Sequence, residues 1–263
     1  AGLKEKIGKL FRDHQYLMEN LPQVEQKKFH ALCNETADLP VMYTSLKKLI
    51  SYLYEYHQKP VIVLIDEYDS PIIESWKNGY YDDMIDFMRC WLGSALKHED
   101  GNALFRAVIT GILRIAKESI FSGLNHITVS SMLKVGPFAD KFGFTQTDLD
   151  QTLEDFKLTE LSDDMREWYN GYKFGGHTIY NPWSVINCIN EFPNPLGPQW
   201  LNTASNTLIY EELENGGLAL KQDLEKLLEG KELRYPIVED TVFDTIGERP
   251  ENIWSFLYFA GYL

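Results

Sequence analysis

"VIVLIDEYDSPI" spans residues 61 to 72, and its first five residues decide the fold class. The run 61–65 is apolar throughout and shows no alternation. Pro60 precedes it, and Asp66 and Glu67 follow. A short apolar run bounded in this way predicts a strand buried on both faces, as in a parallel sheet covered by helices. The two acids then stand just beyond the strand's carboxyl end, where open α/β sheets bind their ligands.

Upstream, "SLKKLISYLYEYH" (45–57) puts Leu46, Leu49, Ile50 and Leu53 on one helical face, and Lys59–Pro60 ends the helix. Downstream, residues 80–98 carry apolar side chains at 81, 84, 85, 88, 91, 92, 95 and 96, the spacing of a long amphipathic helix. "ALFRAVITG" (103–111) is the second candidate core strand, and "HITVSSML" (126–133) is a candidate third. Strand, helix and strand in this order predict a βαβ unit. Beyond about residue 140 the pattern turns mainly helical. Helices are predicted over 145–156, opened by a Thr145 cap, over 163–172, ended at Gly171, and over 218–231. Within 175–192 a turn and a short extended piece lead to a helix with Pro182 in its first turn. Residues 1–138 are therefore read as an α/β core and 139–263 as a mainly helical second domain.

The 263 residues are 44% hydrophobic and 24% charged, which suits a globular protein with a substantial core. The net charge of −14 sets the overall field against nucleic acid, so no direct nucleic-acid binding is expected. Cys33, Cys90 and Cys188 are odd in number and far apart, which argues against a disulfide framework or a zinc site and for a cytoplasmic protein. No secretory signal or membrane-spanning run is visible. The chain starts at Ala1 and stops in the apolar "IWSFLYFAGYL" (253–263), which predicts a piece of a longer protein. The alternative is a C-terminal element docked on the core.

In P-loop ATPases an acid at the end of a buried strand binds Mg²⁺, and a following Glu polarises the attacking water; Asp66 and Glu67 match those positions. The alternative is a strand that ends in solvated acids. Asp69 is read as a cap for the segment led by Pro71. Thr110, at the end of the second strand, matches a γ-phosphate sensor, and Arg114 and Lys117 are placed to face phosphate charge. The alternative is an ordinary turn at Thr110 and Gly111 with both cations in solvent.

A phosphate cradle requires G-x-x-x-x-G-K-[ST]. "GLKEKIGKL" (2–10) has five residues between its glycines, Leu10 in place of the hydroxyl, and a helical pattern, so it is rejected. "EGK" (229–231) resembles a nuclease E-x-K but follows a helix and is discounted. The six histidines show no metal-ligand spacing. The aromatics of "EWYNGYKF" and "YNPWS" are read as core, with base stacking as the alternative.

Six segments, in order, resemble a predicted AAA-ATPase-like family of bacteria and archaea. They are "VIVLIDEYDSPI", "YYDDMIDFMRCWLGSALK", "AVITGILRIAKESIFSGLN", "EWYNGYKFGGHTIYNPWSVINCI", "WLNTASN" and "IWSFLYFAGYL". The resemblance covers nearly the whole chain. It implies an incomplete P-loop NTPase core followed by a helical lid that includes "YNPWS". It also implies an upstream phosphate loop, an attached C-terminal nuclease-like domain, and ATP and Mg²⁺ as ligands of the full-length protein. By position, Asp66 and Glu67 match the family's acidic strand end, and Thr110 and Arg114 its "TGILR" motif. The alternative function is a non-hydrolysing binding or scaffold module on an ATPase fold.

Overall fold

Helix α4 (Ser45–His57) buries Leu46, Leu49, Ile50 and Tyr52 and ends where Gln58 turns into the left-handed region, φ 52°. Pro60 then leads directly into β1 (Val61–Ile65). The chain continues through α5 (Ser70–Lys77) and α6 (Tyr81–Leu96) before β2 (Leu104–Ile109) returns parallel to β1. In this computed structural model the described residues are 2–97, 102–112, 120–121, 123–124, 126–194, 196–197, 199, 217–239 and 250–259. The fold is mixed α/β, with a two-stranded parallel sheet and a separate antiparallel hairpin. No helix among the described residues is long and apolar enough to cross a membrane.

Two compact units divide at His126 and Ile127, and residues 237–255 rejoin the first unit. The sequence texture had placed the change near residue 138. The first unit opens with α1 (Gly2–Asp13), a 3-10 turn (Gln15–Asn20), α2 (Gln23–Cys33) and α3 (Leu39–Tyr43). Phe11 of α1 meets Phe29 of α2 edge-on at 4.9 Å between ring centres. Such a pair adds about 0.5–1.5 kcal/mol beyond the area it buries. Gly8 is a packing residue of α1: a Cβ there would lie 3.1 Å from the Leu32 carbonyl oxygen. α6 packs on α4 and α3. The Trp91 indole donates to Ser45 Oγ at 2.9 Å, and Ser94 Oγ donates to the Tyr43 carbonyl at 2.8 Å. Phe87, Met88, Leu92, Ala95 and Leu96 form the buried side of α6.

The sheet departs from the two-sided burial predicted for 61–65. Val63 is 7% exposed, but Ile62 is 58% and Leu64 75% exposed. Successive strand side chains point to opposite faces. Register pairs Leu64 with Val108, itself 43% exposed, and Val63 with Ala107, which is also exposed, so among the described residues Val63 is the one buried side chain of the two strands.

At the start of the second unit, residues 127–133 of the predicted strand 126–133 form no strand, nor does His126 before them. Val129 and Leu133 are exposed, and no alternating buried face develops there. Thr145 caps α7 (Gln146–Phe156) in a capping box with Asp148. A 3-10 turn (Thr159–Leu161) leads to α8 (Ser162–Tyr169), which ends just before Gly171. Tyr172–Phe174 is instead β3, paired with β4 (His177–Ile179) across the Gly175–Gly176 turn. Asn181 caps α9 (Pro182–Glu191) by accepting from Ser184 N at 3.3 Å. Leu149, Leu153, Met165, Tyr169, Tyr180 and Val185 centre the unit's core. α10 (Leu218–Leu228) follows. Helix α11 (Pro250–Phe259), whose residues up to Ser255 belong to the first unit, has Ile253, Trp254, Phe256 and Leu257 buried. Residues 260–263 of that apolar segment lie outside the described residues.

Candidate functional site

Because β1 and β2 are parallel, their carboxyl ends emerge at the same edge of the sheet, with Ile65 beside Ile109. The next residues are Asp66 and Thr110. The ladder extends through Thr110 N, which donates to the Ile65 carbonyl at 2.8 Å, and Tyr68 N, which donates to the Thr110 carbonyl at 3.0 Å. These bonds bring Asp66, Glu67 and Thr110 together. The Thr110 hydroxyl donates to Asp66 Oδ1, and the Glu67 N–H donates to the same oxygen at 3.0 Å.

Asp66 and Glu67 are exposed, whereas Tyr68 and Asp69 are buried. A carboxylate with one oxygen engaged on its own fold and exposed to solvent is a hard oxygen donor suited to a hydrated Mg²⁺. Glu67 takes a left-handed backbone, φ 52°. A non-glycine residue held there costs of order 1 kcal/mol, and such strain concentrates at functional sites. Its carboxylate accepts from Ser70 Oγ at 3.3 Å, and its carbonyl accepts from Ser70 N at 3.0 Å. The strained residue is thereby held at the start of α5. Arg114 and Lys117 lie outside the described residues.

Asp69 corrects a sequence expectation. It occupies the position before α5, but its side chain makes no capping bond. Its carboxylate, 2% exposed, reaches instead to the end of β2, where Oδ2 accepts from Ile112 N at 2.9 Å. Gly111 makes this approach possible. A Cβ there would stand 2.6 Å from Tyr68 Cε1 and 2.8 Å from Asp69 Oδ1. The signal in the sequence was the glycine after Thr110, read only as a turn.

The other candidates lie elsewhere. Gly2 and Gly8 are both within helix α1. "EGK" follows α10, and Lys231 pairs with Glu229. A cavity of about 260 Å³ in the first unit is lined by α2, α3 and α4 and takes nothing from the strand ends. Its polar groups serve one another: the Tyr52 hydroxyl donates to Glu25, and Lys28 and Lys48 pair with the same carboxylate at 2.9 and 3.1 Å. The hydroxyl and then the ammonium groups hold the Glu25 carboxyl down to about 2. Of the later aromatics, Tyr169 and Tyr180 are core, whereas Trp168 and Trp183 are more than half exposed. The Trp183 indole donates to the Gln199 carbonyl at 3.1 Å.

With this geometry in place, comparison with known proteins returns one family. Residues 5–121 match the family of predicted AAA-ATPases. It is the family that the motifs resemble, and the matched segment holds both strands and the residues at their ends. Among curated proteins, the chain is similar to the "Uncharacterized protein in vnfD 5'region" of Azotobacter chroococcum mcd 1, with 32% identity over 155 residues. That match covers 58% of this chain and 29% of the relative, so the chain spans well under two thirds of the relative's length. No solved structure matches. Within the predicted AAA-ATPase segment, the acids follow the first of the two parallel strands and the threonine follows the second.

Proposed function

We propose that this chain is the core and lid portion of an AAA-like ATPase whose full-length form hydrolyses MgATP. The observation that carries the reading is the convergence of exposed Asp66 and Glu67 with Thr110 at the carboxyl ends of two parallel strands. That is where open α/β sheets bind ligands. Asp66 orients the hydrated Mg²⁺, Glu67 polarises the attacking water, and Thr110 reports on the γ-phosphate. Bound magnesium supplies charge neutralisation to the phosphate oxygens. Arg114 stabilises charge on the transferring group, and the phosphate cradle comes from an upstream segment. The helices of the second unit act as the lid. Nucleotide-driven lid movement regulates an attached C-terminal nuclease-like domain.

A second reading is a non-hydrolysing binding or scaffold module. One observation favours it: Asp66 Oδ1 accepts from Thr110 and from its neighbour's N–H, as a purely structural cap would. Glu67→Gln in the full-length protein separates the two. The ATPase reading expects ATP binding to persist while turnover falls by about 10²-fold or more, the usual contribution of a general base. Unchanged turnover would remove Glu67 from the chemistry.

A further inference from the structure

We propose that Asp69 is the positioning residue of the strand-end site. Its carboxylate fixes the segment after β2 so that Thr110 stays on Asp66. The inference rests on the nucleotide reading above for its catalytic consequence, but its geometry stands separately.

Past Ile65 the chain enters α5, and past Thr110 it continues through Gly111 to Ile112. Asp69 links these two segments. Its backbone belongs to α5, because its carbonyl accepts from Ile72 N and Ile73 N at 3.0 and 2.9 Å. Its side chain belongs to the other strand end, where it accepts from Ile112 N at 2.9 Å. Glu67, Asp69 and Ser70 are joined within one short turn, so the start of α5 carries both the strained acid and this bond.

Burying a carboxylate is costly unless hydrogen bonds compensate it. Asn or Ser would serve as a helix cap at least as well, and Asp69 does not use its side chain as a cap at all. The carboxylate is placed for Ile112. Thr110 lies two residues before Ile112; its own backbone is bonded to Ile65 and Tyr68, and the Asp69–Ile112 bond secures the residues on its far side. Gly111 keeps the space open, since any Cβ would displace the Asp69 carboxylate or the Tyr68 ring.

The test uses Asp69→Ala and Asp69→Asn in the full-length protein, with thermal unfolding to confirm that each is folded. Two quantities are read: amide hydrogen exchange across residues 108–112, and kcat and KM for MgATP. Asp69→Ala should speed exchange at Ile112 by about tenfold or more, the loss of one hydrogen bond to a charged acceptor. It should lower kcat by a similar factor while KM changes little. Asp69→Asn, whose amide oxygen still accepts, should recover most of both. Unchanged exchange in Asp69→Ala overturns the proposal, as does faster exchange with wild-type kcat. If the wild-type protein turns over no ATP, the nucleotide reading fails, and the exchange result alone decides whether Asp69 holds the strand end.

Discussion

Gly111→Ala is the substitution whose effect the geometry fixes most tightly. The new methyl would sit 2.6 and 2.7 Å from two Tyr68 ring carbons and 2.8 Å from Asp69 Oδ1. Neither neighbour can swing into water, since Tyr68 is 8% and Asp69 2% exposed. Tyr68 also packs on Phe121, with ring centres 5.5 Å apart. Overpacking a site of this kind costs about 1–3 kcal/mol, and displacing the carboxylate from Ile112 adds about 1.5–3, against about 0.4–1 gained by restricting the unfolded chain. The net expectation is a loss of about 0.5–2.5 kcal/mol, because relief of the clash and loss of the bond are alternatives rather than a full sum. Urea unfolding followed by far-ultraviolet circular dichroism measures it. Gly93→Ala in α6 is the control. Nothing lies within 4 Å of its Cβ, and helix propensity predicts a gain of about 0.5–1 kcal/mol. A Gly111→Ala loss below about 0.5 kcal/mol would refute the close packing of Tyr68 and Asp69 on this glycine.

Thr145→Ala removes the capping box of α7 and should cost about 1 kcal/mol in the same unfolding assay; a neutral result would mean that the box contributes nothing. Glu25 sets a pH response. Its carboxyl is lowered from 4.5 to about 2 in the folded chain, so its contribution is complete above about 4.5 and is lost as pH falls towards 2. Glu25→Gln should therefore flatten the stability profile between those values and leave its shape unchanged from about pH 5 to 8, below the range where Tyr52 titrates, as read by unfolding midpoints across the range.

The parts legible in the sequence were those fixed by local chemistry. Pro60 before an apolar run and acids after it define β1, and the three- and four-residue spacing of leucines and isoleucine defines α4. The parallel pairing followed from the length of the crossover. What failed depended on distant partners. The apolar run 61–65 cannot say which of its faces is covered, and Leu64 proves to be open. Residues 126–133 have the composition of a strand but pair with no strand among the described residues. The short extended piece predicted after 175 proves to be the second strand of a hairpin whose first strand, 172–174, was not foreseen. The juxtaposition of Asp66, Glu67 and Thr110 was legible from the strand ends alone. The role of Asp69 was not, because a local reading of an acid before Pro71 points to a cap. The Ile112 N–H that its carboxylate accepts from lies 43 residues away.

The central claim is that Asp66 holds the magnesium of a bound nucleotide. Its most direct test is calorimetric titration of ATP, with and without magnesium, into the full-length wild-type protein and Asp66→Asn. The account predicts that magnesium tightens ATP binding to the wild type and that Asp66→Asn abolishes this difference while metal-free binding is preserved. The same magnesium dependence in both proteins would contradict it.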